Sequence, residues 1–365
     1  MAYSDIKDPS AHFQVATWTG DGSTSDRNII NDGNSDLAPD LIWGGCRSAV
    51  QHKHLTDSSR GFSTGNKELI SSGTSVEGDT NAVNTGAYGW LGPSLTNGFE
   101  SSYGSVNNGY WNVNARTYVA WQWKANGGTT STNTDGDINS TVQVNQDAGF
   151  SIVTDSPSNN TARSIGHGLG VAPQVVIRRA RNRVESWRVF HSAAGSTGAL
   201  TLNSTAAYNS STTLFTGVTS TTFGVGTDFS VNGNYNYLSY CFAEKQGYSR
   251  FGKYIGTGAR SYAPFIYTGF KPAFVIVRCS NISGQWLMFD SARNPYNGDF
   301  DYILANTTGV EENSGLSFVD PIDFLSNGFR VLNYDAWMNG GNNTFIYMAF
   351  AENPFVAGGI PTTAR

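Results

Sequence analysis

Three stretches decide the fold: TYVAWQW at 117–123, NYLSYCF at 236–242 and TFIYMAF at 344–350. Each is almost continuously apolar, whereas a strand with one wet face alternates. Each therefore reads as a central β-strand covered on both faces, by a partner sheet on one side and by a neighbouring module or subunit on the other. Tyrosines here would carry their hydroxyls to the rim of the core.

The sequence around each of the three follows one plan. A glycine-bearing approach precedes the strand: NGFE at 97–100, TTFGVG at 221–226 and NGFRV at 327–331. Further upstream lies an apolar strand led by proline: LAPDLIW at 37–43, VAPQVVI at 171–177 and FKPAFVI at 270–276. Proline suits the first residue of a strand, where its missing N–H is least felt. Next come HLTDSSRG at 54–61, WRVFHSAAG at 187–195 and WLMFDSARN at 286–294, and each unit opens on an extended run from Phe13, Phe150 or Phe251. A pattern met three times is an internal repeat, and the runs are strand-length with Gly, Asn and Ser between them. The expected fold is all-β: three tandem antiparallel β-sandwich modules, jelly-roll-like, of about 100 residues each. The modules are placed at 1–124, 149–248 and 249–365, the last with a C-terminal tail. Residues 125–148 are expected to be a Gly/Thr/Asn-rich linker, flexible in its first half, with Ile138, Val142 and Val144 forming a short strand in its second. The second and third modules meet around GYSR at 247–250, so a fixed mutual orientation is expected for them and a looser one for the first.

Composition supports this and excludes other classes. The 365 residues include 39 Ser, 34 Thr, 34 Asn and 42 Gly, which suits turns, and 47 aromatic residues, far too many for a disordered chain. Lys and Glu are too scarce for a helical bundle. A net charge of -5 argues against a nucleic-acid partner, and no apolar run is long enough to be a transmembrane helix. Cys46, Cys241 and Cys279 form no CxxC pair, so neither a disulfide framework nor a zinc knuckle is supported.

The chemistry-bearing residues are few. His52 and His54 would share one face of a strand, but no third ligand accompanies them except Asp57, and no metal or cofactor is expected. Asp57, His191 and Asp290 hold equivalent places, each followed by Ser, and read as strand-ending turn caps, with Arg60 and Arg293 pairing with the carboxylate or a loop carbonyl. No catalytic elbow, P-loop or HExxH occurs, so no catalytic residue is assigned and the protein is read as a non-enzyme. Tyr110 and Trp111 in VNNGYWNVN, Tyr235 in VNGNYNY and Trp337 in NYDAWMNGG precede the closing strands on loops. An aromatic face beside Asn and Asp is a way to hold a sugar ring, so these four are candidate carbohydrate-binding residues; the competing reading packs them against a neighbouring module or subunit.

The strings GYSRFGKYIGTG, APFIYTGFKPAFVIVR, FDSARNPYN, DFLSNGFRV, IYMAFAENPF and GGIPTTAR resemble a repeat family of tailed bacteriophages, chiefly marine and cyanophage-type. HFQVATWTGDGS, NDGNSDLAPDLIW, YVAWQWKANGG and STNTDGDINSTVQVNQDAGFSIV extend the resemblance over nearly the whole chain. It implies a virion structural protein, a tail-fibre or head appendage, assembled in the host bacterial cytoplasm and located on the virion. The expected partners are other virion proteins, further copies of the chain in a homotrimer, and a host-surface glycan. A capsid decoration or cement protein, with closing strands buried against capsid or sister subunits, is the alternative; a polysaccharide depolymerase comes third, because no paired carboxylates are evident. The first module departs from the family pattern at LIWGGCRSAVQHKHLTDSSRG, where a basic residue usually ends the strand and an aromatic precedes the Asp.

Overall fold

In a computed structural model, the first eight strands are β1 (Phe13–Thr19), β2 (Arg27–Ile29), β3 (Leu41–Cys46), β4 (His54–Asp57), β5 (Leu69–Ile70), β6 (Trp90–Ser94), β7 (Phe99–Ser102) and β8 (Thr117–Trp123). They form two antiparallel sheets, ordered β1-β8-β3-β4-β5 and β2-β7-β6. β9 (Ser131–Asn133) and β10 (Ser140–Asn145) follow. The same plan then recurs in β11 (Phe150–Asp155), β12 (Arg163–Gly166), β13 (Val175–Ala180), β14 (Arg188–His191), β15 (Leu200–Thr201), β16 (Phe215–Val218), β17 (Thr222–Val225) and β18 (Tyr237–Phe242). Their order is β11-β18-β13-β14-β15 and β12-β17-β16, with β10 and β9 extending the larger sheet beyond β11. It recurs again in β19 (Ser249–Ile255), β20 (Phe265–Tyr267), β21 (Phe270–Cys279), β22 (Trp286–Asp290), β23 (Ile303–Leu304), β24 (Ile322–Leu325), β25 (Gly328–Val331) and β26 (Thr344–Pro354), ordered β19-β26-β21-β22-β23 and β20-β25-β24. The protein is thus all-β, built of antiparallel β-sandwiches. The structure describes residues 6–62, 67–78, 88–103, 109–298, 301–312, 321–332, 336–354, 356–357 and 360–361.

The apolar closing strands explain the arrangement. On β8, Val119, Trp121 and Trp123 face a central core, while Tyr118 and Ala120 face the sandwich interior between the two sheets of their own unit. β18 divides in the same way, with Leu238, Tyr240 and Phe242 to the centre, and so does β26, with Ile346, Met348 and Phe350. The central core is therefore shared by the inner faces of the three larger sheets, and each unit keeps a second core of its own. Trp123, Phe242 and Phe350, at matching ends of the closing strands, form a triangle of rings with centroids 6.1, 5.8 and 5.5 Å apart. The three units thus surround a pseudo-threefold axis. What covers the second face of each closing strand is the other two units of the same chain, so the strands are not available to a capsid or a sister subunit.

Two expectations are corrected. The first half of residues 125–148 is not a flexible stretch. The buried Asp40 carboxylate accepts the N–H groups of Ala125 (2.7 Å), Gly127 (3.0 Å) and Gly128 (3.0 Å), so the start of the segment is clamped to the first unit. Both glycines have positive φ, which this turn requires. Beyond it, Ser131–Asn133 and Ser140–Asn145 pair as β9 and β10, with Val142 and Val144 in β10 and Ile138 in an isolated bridge to Ile165. Nor is the first unit loose, since it contributes to the central core and joins both neighbours by buried polar contacts. A smaller difference lies in the third unit. Ser249, not Phe251, sits opposite Phe350 where Phe13 and Phe150 sit opposite Trp123 and Phe242. The slip is of two residues, so Phe251 still faces the core.

Buried polar contacts close the seams. Asp57 ends β4 and caps its turn, accepting the Arg60 N–H at 3.0 Å and Nε at 2.6 Å. Tyr240 of the second unit donates its hydroxyl to the same carboxylate at 2.8 Å, and Glu77 joins Arg60 to Arg181 across the seam, each at 2.7 Å. Burial raises the Glu77 carboxyl, but the two guanidiniums outweigh it and hold it below the usual range. The third-to-first seam repeats this with Asp290 and Arg293. Trp121 Nε1 donates to Asp290 at 3.0 Å, and Glu311 bridges Arg293 (2.7 Å) and Arg47 (2.8 Å). At the matching place of the second-to-third seam the carboxylate and its arginine are replaced by neutral groups. His191 accepts the Ala193 N–H on Nδ1 at 3.2 Å, so Nε2 carries the proton and donates to Tyr347 O at 3.1 Å. The strand-capping reading of Asp57, Asp290, Arg60 and Arg293 thus describes only half of their role.

Candidate functional site

The four aromatic residues expected to bind sugar do not converge, and one of them is not at the surface. Trp111 is buried, 1% exposed, between Trp18, Tyr118 and the edge of His54 (5.1 Å). The loop explains why: the next residue, Asn112, is also buried and accepts the Asp21 N–H, as Asn339 accepts the Thr257 N–H. Trp111 and Met338, immediately before these asparagines, fill the sandwich interiors. An aromatic beside Asn therefore builds a loop clamp here, and Trp111 has no free face for a ligand. Tyr110 is half-buried against His54 (5.0 Å) and Tyr88 (5.5 Å), and Trp337 packs against the core of its own unit. Tyr235 accepts a hydrogen bond from Arg183 at 2.5 Å, and the guanidinium lies over both Tyr235 (4.9 Å) and the exposed Phe229 (5.0 Å).

The histidines are likewise engaged. His54 Nδ1 lies 2.8 Å from Glu68 Oε2, both fully buried, and His52 contacts Ser72 at 2.9 Å. Among the described residues no group of three or more His, Cys, Asp or Glu is placed to hold a metal ion. The three cysteines are buried and unpaired with one another.

The distinctive surface lies instead on the outer face of β20. Phe265 is 49% exposed and Tyr267 60%, while Ile266 between them faces the core. Period-two alternation puts both rings on one side. Phe265 pairs with Arg330 of β25, which in turn pairs with Asp323 of β24. Tyr262, 78% exposed, lies in the short 3-10 turn Arg260–Tyr262 that leads into β20.

Register shows that this face belongs to the third unit alone. Ile29 pairs with Phe99, Ile165 with Phe223 and Ile266 with Phe329, so Asn28 and Ile30, Ser164 and Gly166, and Phe265 and Tyr267 hold the same positions. In the second unit the face is covered by its own chain: Asn133 Oδ1 lies where a Gly166 side chain would be, and Asp137 accepts the Ser164 N–H. In the first unit the pair has one apolar member, exposed Ile30, beside polar Asn28.

Tyr267 also borders a groove of about 380 Å³ at the junction of the second and third units, with Glu244, Gln246, Arg250, Thr268 and Gly269 around it. Glu244 accepts the Phe251 N–H at 2.7 Å and pairs with Arg250 at 3.2 Å, so its carboxylate is fixed. Sequence reasoning missed this face because FIY is apolar throughout and resembles another buried strand. The signal available was the comparison of RNII, RSIG and PFIY at matching places in the three units.

The fold and this surface define a class: a disulfide-free protein of three β-sandwich units about a common axis, with an uncovered aromatic face on one of them. Residues 8–354 match the family described as Domain of unknown function (DUF7483), and the chain belongs to that family. No curated protein and no solved structure matches it.

Proposed function

We propose that the chain is a structural protein of a bacteriophage particle, a tail-fibre-like or head appendage, which contacts the host surface through its third unit. The observation that carries the reading is the uncovered Phe265–Tyr267 face, present in one unit and absent from the equivalent positions of the other two. The sequence resemblance to phage appendage proteins supplies the particle. Interlocked units without disulfides suit assembly in a reducing cytoplasm and persistence outside it. The cement reading relied on closing strands buried against neighbouring subunits, and their burial within the chain removes that support. Copies arranged as a trimer would multiply weak contacts by avidity.

The reading is non-enzymatic, with other virion proteins and a host glycan as partners and no nucleic acid or membrane insertion. Mass spectrometry of purified particles should find the protein in stoichiometric amount. Added in excess, the purified chain should slow adsorption to host cells, and the Tyr267→Ala variant should not. Absence from particles would sink the proposal, as would release of reducing ends when the protein is incubated with host envelope polysaccharide.

A further inference from the structure

We infer that the groove between the second and third units binds an uncharged pyranose glycan, with one ring stacked on Tyr267 and the chain continuing over Phe265. This rests on the surface-contact reading and names the ligand class of that face. An aromatic wall beside hydrogen-bonding groups matches the two sides of a sugar, an apolar C–H face and a rim of hydroxyls. Here Tyr267 supplies the wall and Gln246, Thr268 and the Glu244–Arg250 pair line the space beside it. Phe265 stands two residues along the same strand face, roughly 6.6 Å away, which is comparable with the advance of one ring in an extended glycan.

Charge selects among sugars. The ionised residues lining the groove are Glu244 and Arg250, and they neutralise each other at 3.2 Å. A uronate or phosphate-bearing glycan would have to break that pair, whereas hydroxyl groups can bond to both members. The grooves at the other two seams have no exposed aromatic wall. One is bordered by Gln14, Asp32 and Glu352, the other by His12, Lys124 and Asp147. A second copy of the chain is a poor occupant. Three half-exposed rings offer a few hundred Å², well short of the roughly 800 Å² per partner that a standard interface buries.

The test is isothermal titration of the full chain with maltohexaose, cellohexaose, mannohexaose and, for contrast, an anionic oligo-alginate. At least one uncharged hexasaccharide should bind and the alginate should not. Tyr267→Ala should weaken binding about tenfold or more, Phe265→Ala by less, and Ile30→Ala at the matching place in the first unit should change nothing. Both rings are exposed, so the variants should keep the wild-type circular dichroism. Binding of none of the uncharged sugars, preference for alginate, or binding indifferent to Tyr267→Ala would overturn the inference. So would a dimer in sedimentation velocity that Tyr267→Ala dissolves. Loss of host-cell binding in Tyr267→Ala without any sugar binding would overturn the ligand class and leave the surface-contact reading standing. Sugar binding by a protein missing from purified particles supports the inference and overturns the particle assignment.

Discussion

Lys53 and Gly45 occupy positions where the other two units carry tryptophan and arginine. Register aligns Gly45 with Arg179 and Arg278, and Lys53 with Trp187 and Trp286. Arg179 lies over Trp187 at 5.3 Å and reaches back to the carbonyls of Ile70 (3.0 Å), Gly73 (2.9 Å) and Ser75 of the first unit. Arg278 lies over Trp286 at 5.4 Å and bonds the carbonyls of Ser204 (3.0 Å) and Ala206 of the second. In the first unit the room over Gly45 is filled by the Lys53 stem, and its ammonium bonds Gly309 O of the third unit at 2.6 Å. The two substitutions compensate, moving one buried cation from strand β3 to the residue before β4. Lys53→Ala should therefore leave buried carbonyls unpaired beside a cavity and cost roughly 2–4 kcal/mol. Restoring both partners, as Gly45→Arg with Lys53→Trp, should cost less than the sum of the single changes; urea denaturation of the four proteins measures the coupling. The His191 seam shows the same logic. Where the other seams have Asp, Arg and Glu, the second unit has His191, Ala194 and Tyr208, and Ser280 stands opposite in place of an arginine. The Asp, Arg and Glu set is thus replaced as a whole, so neither a lone carboxylate nor a lone partner of it remains at those positions. Arg60→Ala, which strands Asp57, should cost roughly 3–5 kcal/mol, and Asp57→His together with Arg60→Ala should recover part of it.

At the scale of elements, the segment after β8 shows how one side chain converts low-complexity sequence into structure. Asp40, 1% exposed, accepts three backbone N–H groups and the Ser58 hydroxyl (2.6 Å). Asp40→Ala should cost roughly 2–4 kcal/mol, and hydrogen exchange should quicken selectively at Ala125, Gly127 and Gly128. Composition alone reads this stretch as a linker, because its ordering comes from a carboxylate some 85 residues away in sequence. The closing strands were legible for the opposite reason. A strand apolar on both faces declares its double coverage locally, although not that the cover comes from the same chain. The Asp-Ser turn caps were legible as well, since a cap is a local interaction. Trp111 was misread because an aromatic next to Asn has the same sequence whether it points outward to a sugar or inward above a loop clamp. The Phe265–Tyr267 face escaped notice because exposure depends on what the rest of the molecule leaves uncovered. In the second unit that cover is Asn133 and Asp137; in the third it is missing.

For the whole molecule, a core shared by three sheets means that no unit retains its inner face when separated from the others. The full chain should therefore unfold in a single calorimetric transition, and a fragment of residues 149–248 should aggregate or remain unfolded. The chain connects the first unit to the second and the second to the third, while the third-to-first seam is held by packing, side chains and two backbone hydrogen bonds, Gln51 N–H to Thr308 O (2.9 Å) and Glu311 N–H to Arg47 O (2.7 Å). Acid should reach the second-to-third seam first. Burial holds His191 down at about 4 in the folded protein, against an ordinary value near 6.5, and burial lowers His12, His52 and His167 in the same direction. The unfolded chain thus binds more protons than the folded one between those values, so stability is complete above pH 6.5 and falls as the pH drops toward 4. Glu77, held low by Arg60 and Arg181 against its burial, and Asp8 lose their contributions further down, progressively as the pH falls from the ordinary carboxylate values toward their lowered ones. Two windows should separate in urea titrations run at closely spaced pH. His191→Asn should flatten the upper window by a few kcal/mol at most and leave the lower one in place. An unchanged slope between pH 6.5 and 4.5 in that variant would show that the acid sensitivity resides elsewhere. The predicted order, the His191 seam before the two seams built on Asp57 and Asp290, follows from their chemistry: an ion pair between Arg and a carboxylate persists until the carboxylate itself is protonated, whereas a buried neutral imidazole is opposed by every proton it is offered.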